Sequence, residues 1–164
     1  MQSFTHIALD EEATAVLGRH LANALPPTAV VALSGPLGAG KTRLVQAVAE
    51  AAGVDRRMVT SPTFMLVQEY RGKRLIYHLD AYRLKDDDEF LALGPEEIFS
   101  AEAWTFIEWA ERVERCLPNE YLSIDILVPA ASERHFKISA VGSGYEDVVA
   151  KIAASTAGLV APTE

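Results

Sequence analysis

Residues 29–42 constrain the fold most, because they join an apolar run to a glycine-rich loop and then to a helical pattern. The run "AVVALS" (29–34) is typical of a central strand covered on both faces. "GPLGAGKT" (35–42) follows at once, and "TRLVQAVAEAAG" (42–53) has helical spacing that a glycine closes. The sequence therefore predicts a strand–loop–helix unit, which is the core of an α/β protein.

The rest of the chain extends this unit. Strands alternate with helices early in the sequence and pair directly later. The pattern predicts strands at 4–10, 104–109, 121–128 and 135–141, a hairpin at 64–80, helices at 10–25 and 145–155, and short helices within 85–100. We therefore expect an α/β three-layer sandwich like that of P-loop NTPases, with a mixed, mainly parallel sheet plus antiparallel strands. Residues 1–155 are predicted to form one domain, and 156–164 a frayed tail.

Composition narrows the class of protein. The 164 residues carry a net charge of −8, which disfavours a protein whose main task is to neutralise nucleic-acid phosphates. No uninterrupted run of about 18 apolar residues is present, and the N-terminal sequence is unlike a signal peptide. The single cysteine, Cys116, cannot form an internal disulfide or a multi-cysteine zinc site. We expect a cytoplasmic protein.

The glycine loop fits the phosphate-binding pattern G-x-x-x-x-G-K-[ST]. Glycines let backbone N–H groups surround an anion, and the following helix points its positive end at the phosphates. Lysine supplies charge to the β- and γ-phosphates, and the threonine hydroxyl ligates Mg²⁺. A plain strand-to-helix turn is the alternative, but the flanking strand and helix favour a nucleoside triphosphate with Mg²⁺ as the ligand. The predicted nucleotide-binding residues of this loop are Gly35, Leu37, Gly38, Ala39, Gly40, Lys41 and Thr42.

Two carboxylates end apolar runs. "LIYHLD" ends at Asp80 and "WTFIE" ends at Glu108. In open α/β sheets, ligands bind beyond the carboxyl ends of the strands, where phosphoryl transfer needs support for the metal and the nucleophile. We therefore expect both side chains near the phosphates. The alternative is a strand-end cap, or an ion pair with Arg83 or Arg112.

Other polar residues leave two interpretations open. Ser61 and Thr63 in "SPTF" fit either a loop that senses a γ-phosphate or a Ser-Pro turn before a strand. His78 shares a strand face with Asp80 and is either a partner of the site or a core histidine. The run Asp86–Asp88 is most simply explained as charges at a helix entry, with a metal cluster as the sharper alternative.

Four stretches in order carry a family resemblance: "GPLGAGKT", "SPTF", "HLDAYRL" and "IEWAERV". This combination resembles the TsaE (YjeE) family of small bacterial ATPases required for threonylcarbamoyl-adenosine modification of tRNA. The likeness extends from about residue 9 to about residue 128. Pro36, Leu79, Ala81 and Ala110 depart from the usual family residues, and none of these departures removes a phosphate or metal ligand.

The resemblance implies roles for individual residues. Lys41 would act on the phosphates, Thr42 and Glu108 would associate with Mg²⁺, and Asp80 would be the acidic residue important for hydrolysis. Thr63 would lie in a switch-like loop and Trp109 at the edge of the site. Thr14 would lie near the adenine. Lys41, Asp80 and Glu108 are the predicted catalytic residues.

The resemblance also implies partners. ATP hydrolysis would be weak in the isolated chain and would depend on the transferase subunits TsaD and TsaB, whose complex it resets and which hold most of the tRNA. Two alternatives stay open on the sequence: a small-molecule kinase and an adaptor that binds ATP without hydrolysing it. A kinase usually carries arginines in a lid, whereas the segment after Asp80 is acidic.

Overall fold

A computed structural model describes residues 2–62 and 66–159 of the chain. Thr63 and residues 160–164 of the predicted tail lie outside the described residues. The elements follow the predicted order, with the largest differences at their ends. They are β1 Ser3–Ala8, α1 Glu11–Ala24, β2 Ala29–Ser34, α2 Lys41–Ala51, β3 Val67–Arg71, β4 Leu75–Asp80, α3 Asp87–Leu91, α4 Pro95–Ser100, β5 Trp104–Glu108, β6 Tyr121–Leu127, β7 Arg134–Val141 and α5 Glu146–Thr156.

Within the described residues, seven strands form one sheet in the order β1-β7-β6-β2-β5-β4-β3. The central pairs β6–β2, β2–β5 and β5–β4 are parallel. The outer pairs β1–β7, β7–β6 and β3–β4 are antiparallel. The expected mixed sheet is thus confirmed, and its parallel part lies in the centre. Because β2, β4, β5 and β6 run in the same direction, their carboxyl ends meet along one edge of the sheet.

Alternate residues of β2 serve the two apolar cores that cover the sheet. Val31 and Leu33 belong to the larger core with residues of α1, α2 and α5. Val30 and Ala32 belong to the smaller core on the other face, with residues of α3 and of the segment after β5. Burial on both faces explains why this strand is a continuous apolar run. Because the strand is buried on both faces, the position at the sheet edge where the loop after β2 begins is also fixed.

Helices α1 and α2 pack closely because of a glycine. A Cβ added at Gly18 would lie 2.3 Å from Cβ of Ala47, which is less than any real contact between carbon atoms. Asp10 caps α1 as predicted, since its carboxylate accepts a 2.8 Å hydrogen bond from the Ala13 N–H. The start of α1 is thereby held beside the start of α2.

Short 3₁₀ segments were absent from the sequence-based prediction, whereas the helix entry expected at Asp86 is confirmed. The 3₁₀ segments cover Arg56–Met58, Ser143–Tyr145 and Ala110–Cys116, the last divided in two by a non-helical Val113, and none of them was predicted. Asp86 caps α3 by accepting from the Glu89 N–H, and the described residues contain no group of three or more His, Cys, Asp or Glu side chains suited to a metal. In the part of the chain that the structure describes, no helix has the length and apolar character needed to span a bilayer.

Candidate functional site

The loop between β2 and α2 has the backbone expected of an anion cradle. Gly38 and Gly40 adopt φ angles of 77° and 100°, which side-chain-bearing residues rarely adopt. A Cβ at Gly35 would lie 2.9 Å from the Ile126 carbonyl oxygen, so the end of β6 presses against the loop. No side chain caps the first turn of α2. Its first N–H groups are therefore available to a ligand.

Lys41 is buried beneath this loop. Its Nζ donates to the carbonyl oxygens of Gly35 and Pro36 at 2.7 and 3.0 Å, and it lies 4.0 Å from the centroid of the Trp109 ring. Burial lowers the pKa of Lys41, while Glu108 and other nearby carboxylates oppose that shift. The ammonium group is thus fixed at the loop and is not solvated on the surface.

Thr42 meets the carboxylate at the end of β5. Its hydroxyl Oγ1 lies 2.8 and 3.0 Å from the two carboxylate oxygens of Glu108. Ligands at neighbouring corners of a Mg²⁺ octahedron lie about 2.9 Å apart, given bonds of about 2.1 Å. The two side chains therefore fit Mg²⁺ by both chemistry and spacing. Neither contact had been predicted as a direct hydrogen bond.

His78 supports Glu108 from the neighbouring strand. Its Nε2 lies 2.7 Å from Oε2 of Glu108, and its Nδ1 lies 3.2 Å from the hydroxyl of Tyr70. Tyr70 in turn contacts the side chain of Gln68. His78 has no solvent exposure, so its ring orientation is set by these two contacts. Of the two interpretations of His78, the structure favours a partner of the site.

Asp80 lies beside Glu108, as its register partner in the β4–β5 pair. One oxygen accepts from the Tyr82 N–H at 2.9 Å, and the other lies 3.5 Å from Oγ of Ser61. Burial, chiefly, and the charge of Glu108 raise the pKa of Asp80. The bond from the Tyr82 N–H matches the strand-end cap that the sequence left open for Asp80, whereas the described contacts of Glu108 are with Thr42 and His78.

Trp109 has the only positive φ angle, 58°, among the non-glycine residues that the structure describes. Its ring lies 4.8 Å from that of Tyr82, and the Arg112 guanidinium lies over both rings. This backbone conformation is costly for a bulky residue and is held by the packing around it. The ring is thereby kept over Lys41.

Two cavities flank the loop. One, of about 280 Å³, is lined by loop residues with Lys41, Thr42, Ser61, Glu108 and Trp109. The other, of about 310 Å³, lies between the loop, the start of α1 and the segment between β6 and β7, and it includes Thr14. Lys41, Thr42, Glu108 and Trp109 thus line the first cavity, Thr14 lines the second, and Asp80 adjoins the first through its contact with Ser61. Leu37 differs in that its side chain is 83% exposed at the loop tip.

Comparison with known proteins identifies the family. A family model described as "Threonylcarbamoyl adenosine biosynthesis protein TsaE" matches residues 8–136. The chain belongs to the TsaE family. It is 38% identical to TsaE of Bacillus subtilis over 139 residues, which are 84% of this chain and 86% of that protein. It is 43% identical to TsaE of Synechocystis over 116 residues, which are 68% and 72% of the two chains.

A solved structure supports the same fold. The crystal structure of Bacillus subtilis YdiB superposes with a TM-score of 0.78 at 30% identity, covering 94% of this chain and 96% of that one. The fold class and the resemblance to TsaE are therefore confirmed. The positions where this TsaE chain departs from the usual residues, Leu79, Ala81 and Ala110, are all buried. Pro36 keeps its carbonyl oxygen as an acceptor for Lys41.

The sequence did not reveal two arginines at the loop of this TsaE protein. Arg134, at the start of β7, donates to loop carbonyl groups. Arg43 lines both cavities, and its Nε and Nη1 are buried with no hydrogen-bond partner in the part of the chain described. Arg43 could have been suspected from its place after Thr42. Arg134 gave no signal, because its partners are main-chain atoms 95 residues away.

Proposed function

We propose that this TsaE-family protein is a Mg²⁺-dependent ATPase that acts in the biosynthesis of threonylcarbamoyladenosine in tRNA. One observation carries the proposal: the glycine loop, Lys41, Thr42 and Glu108 at the end of β5 line one cavity, and Asp80 at the end of β4 is the register partner of Glu108. Loop N–H groups, an ammonium group and two oxygen ligands are the components that phosphoryl transfer requires. The pathway is taken from the names of the relatives.

Each side chain has a role in this proposal. Lys41 lies where it would exchange its bonds to loop carbonyls for the β- and γ-phosphates of ATP. Thr42 and Glu108 would hold Mg²⁺, with His78 keeping the Glu108 carboxylate oriented. Bound Mg²⁺ would neutralise charge on the phosphate oxygens. Trp109 would close the edge of the site above Lys41.

Asp80 is suited to orient the water molecule that attacks the γ-phosphorus and to accept its proton. In hydrolysis the water oxygen bonds to phosphorus, the bond to the β–γ bridging oxygen breaks, and one proton leaves the water. Among the described residues, the contact of one Asp80 oxygen is a long one, 3.5 Å from Oγ of Ser61, so we assign to that oxygen the orientation of the water and the acceptance of its proton. The raised pKa of Asp80 makes this carboxylate a better proton acceptor than an exposed aspartate.

We further propose that TsaD and TsaB are the partners and that hydrolysis resets their complex. This rests on the family resemblance, and an exposed apolar surface beside the site supports it. Leu37 at the loop tip, Leu127 at the end of β6 and Leu9 after β1 are 83%, 62% and 48% exposed. Exposed apolar groups beside a site are typical of a protein-binding surface. Contact with the partners would place them next to the nucleotide.

The test measures phosphate release from Mg·ATP by the purified chain, alone and with TsaD and TsaB. We expect slow release alone and faster release with both subunits. The Lys41→Ala variant should lose ATP binding and release, because it removes the ammonium group from the phosphates. Lys151→Ala, which removes the same charge at an exposed position on α5, is the control.

The other outcomes separate the alternatives. Tight ATP binding without release, even with both subunits, would indicate an adaptor. Transfer of the γ-phosphate to a metabolite would indicate a kinase. A wild-type chain that bound no nucleotide would refute the proposal as a whole.

A further inference from the structure

Arg134 donates hydrogen bonds to the outer side of the phosphate loop. Its Nε donates to the Ala39 carbonyl at 3.0 Å, and its Nη2 donates to the Gly38 carbonyl at 3.3 Å. These two carbonyl groups belong to consecutive peptide units at the tip of the loop. The forked guanidinium is suited to holding two acceptors at once, which a lysine ammonium does less well.

The same guanidinium is anchored on its other side. Nη1 lies 3.0 to 3.3 Å from three carbonyl oxygens of the segment between β6 and β7. These carbonyl groups belong to Ala130, Ala131 and Glu133. Arg134 also lies in the register of β7, opposite Ala8 of β1. The loop tip is therefore tied to the sheet through a side chain that is itself fixed by backbone contacts.

The hydrogen bonds from Arg134 to the loop carbonyls also determine which way the loop N–H groups point. A trans peptide unit points its carbonyl and its N–H in opposite directions, and the chain has no cis peptide among its described residues. Holding the Ala39 carbonyl therefore turns the Gly40 N–H away from Arg134. That N–H has no acceptor within residues 2–62 and 66–159, whereas the Ala39 N–H donates to the Pro36 carbonyl.

The positions of the two cavities indicate which side of the loop the Gly40 N–H faces. Arg134 lines the cavity beside α1, and Lys41 and Thr42 line the cavity at Glu108. Residues Gly38–Gly40 line both cavities and form the wall between them. Because the Gly40 N–H points away from Arg134, it faces the cavity that Lys41 and Thr42 line.

We propose that Arg134 is a positioning residue that aims the Gly40 N–H at the phosphates of the bound nucleotide. This inference rests on the proposed function. Arg134 acts through the backbone and contacts no reacting atom. Its contribution is to fix, before binding, a peptide orientation that a glycine-flanked loop would otherwise sample among several.

The experiment measures binding of the non-hydrolysable analogue AMP-PNP with Mg²⁺ by calorimetry. We expect Arg134→Ala to weaken binding about ten- to thirtyfold, the loss of one oriented hydrogen bond to a charged group. Arg134→Lys should fall between the wild type and the alanine variant, because an ammonium group cannot hold the loop and the β6–β7 segment together. Arg57→Ala removes an equal charge at an exposed site and should bind as the wild type does.

Two readouts separate positioning from general stability. Guanidinium at low millimolar concentration should restore part of the affinity of Arg134→Ala, while urea, which is neutral and similar in shape, should not. In NMR spectra, the Gly40 amide proton should shift on addition of AMP-PNP in the wild type and shift less in Arg134→Ala. If Arg134→Ala does not fold, Arg134→Lys carries the same comparison of affinities and shifts.

The outcomes are distinguishable. If folded Arg134 variants bind AMP-PNP within twofold of the wild type, the inference is wrong and the proposed function stands, provided that Lys41→Ala loses binding. The affinity of Arg134→Ala for AMP-PNP could fall while guanidinium restores none of it and the Gly40 amide proton shifts as in the wild type. That result would also refute the positioning role. If the wild-type chain binds no AMP-PNP, both the inference and the proposed function fail.

Discussion

The ends of β4 and β5 carry carboxylates side by side, yet the two regions hold them differently. Glu108, at the end of β5, has the hydroxyl of Thr42 against both of its oxygens and His78 against one. Asp80, at the end of β4, has one firm bond, from the Tyr82 N–H, and a 3.5 Å contact with Ser61. Both side chains are buried.

This difference suggests a division of labour between two groups of the same chemistry. A carboxylate that is fixed on several sides suits a metal ion, whose ligands must hold a defined geometry. A carboxylate with a loosely held oxygen suits a water molecule that must be oriented and then released. Four substitutions test this comparison.

Glu108→Gln should have the largest effect. It keeps the shape of the side chain but removes the charge that would face Mg²⁺, so we expect ATP hydrolysis with partners to fall about 100-fold or more. Hydrolysis should also need a higher Mg²⁺ concentration. Steady-state phosphate release over a Mg²⁺ titration measures both. Glu96→Gln, at an exposed position in the first turn of α4, is the matched control, and equal losses in the two variants would contradict the assignment.

Asp80→Asn should slow hydrolysis about 10- to 100-fold with little change in the Mg²⁺ requirement. A shift in Mg²⁺ requirement as large as that of Glu108→Gln would erase the proposed distinction between the carboxylates. The same titration of phosphate release gives the answer. Asp86→Asn, at the cap of α3, is a control for loss of an aspartate charge away from the cavity.

The same Asp80→Asn variant should unfold less readily at neutral pH. Because the pKa of Asp80 is raised in the folded chain, the folded state binds its proton more tightly, and stability is lost as pH rises from the unfolded value through the folded one. The ionised carboxylate thus costs stability at pH 7. We expect a gain of about 0.5–2 kcal/mol on removing it.

The pH dependence is the critical part of this measurement. Urea unfolding at a series of pH values should show the gain shrinking as the pH falls, since Asp80 is then protonated in both folded and unfolded chains. A gain that stayed constant down to acid pH would show that the raised pKa is not its cause.

His78→Gln should reduce hydrolysis about tenfold, less than Glu108→Gln, because it removes a group that orients the carboxylate and leaves the carboxylate in place. Excess Mg²⁺ should recover part of the loss. His20→Gln, on α1, provides a histidine control. Lack of any recovery at high Mg²⁺ would indicate that His78 acts on something other than the metal ligand.

Tyr70→Phe should have the smallest effect, a few-fold on hydrolysis and about 1 kcal/mol on the free energy of unfolding. Burial, chiefly, raises the pKa of Tyr70 to about 12, and its protonated hydroxyl contacts Nδ1 of His78, so we infer that it helps to orient that ring. Tyr77→Phe on the neighbouring strand β4 is the control. A loss as large as that of His78→Gln would place Tyr70 closer to the chemistry than we infer.

Much of the site could be predicted because its components carry local signals. The order "AVVALS", "GPLGAGKT" and a helical pattern defines the loop, and a carboxylate after an apolar run marks a strand end. The direct bond between Thr42 and Glu108 could not be predicted, since the two residues are 66 positions apart and meet only through the strand order. The 3₁₀ segments within Ala110–Cys116, divided by a non-helical Val113, were also not predicted.

The sequence by itself determined the phosphate loop, because glycine conformations and a helix start depend on neighbouring residues. It also determined which strands are buried, through their apolar runs. Only the tertiary structure decided that β7 lies between β1 and β6, which brings Arg134 to the loop. Every residue has a main-chain carbonyl group, so the residue type at the acceptor position does not indicate that a side chain bonds to it. Only the fold reveals contacts of this kind.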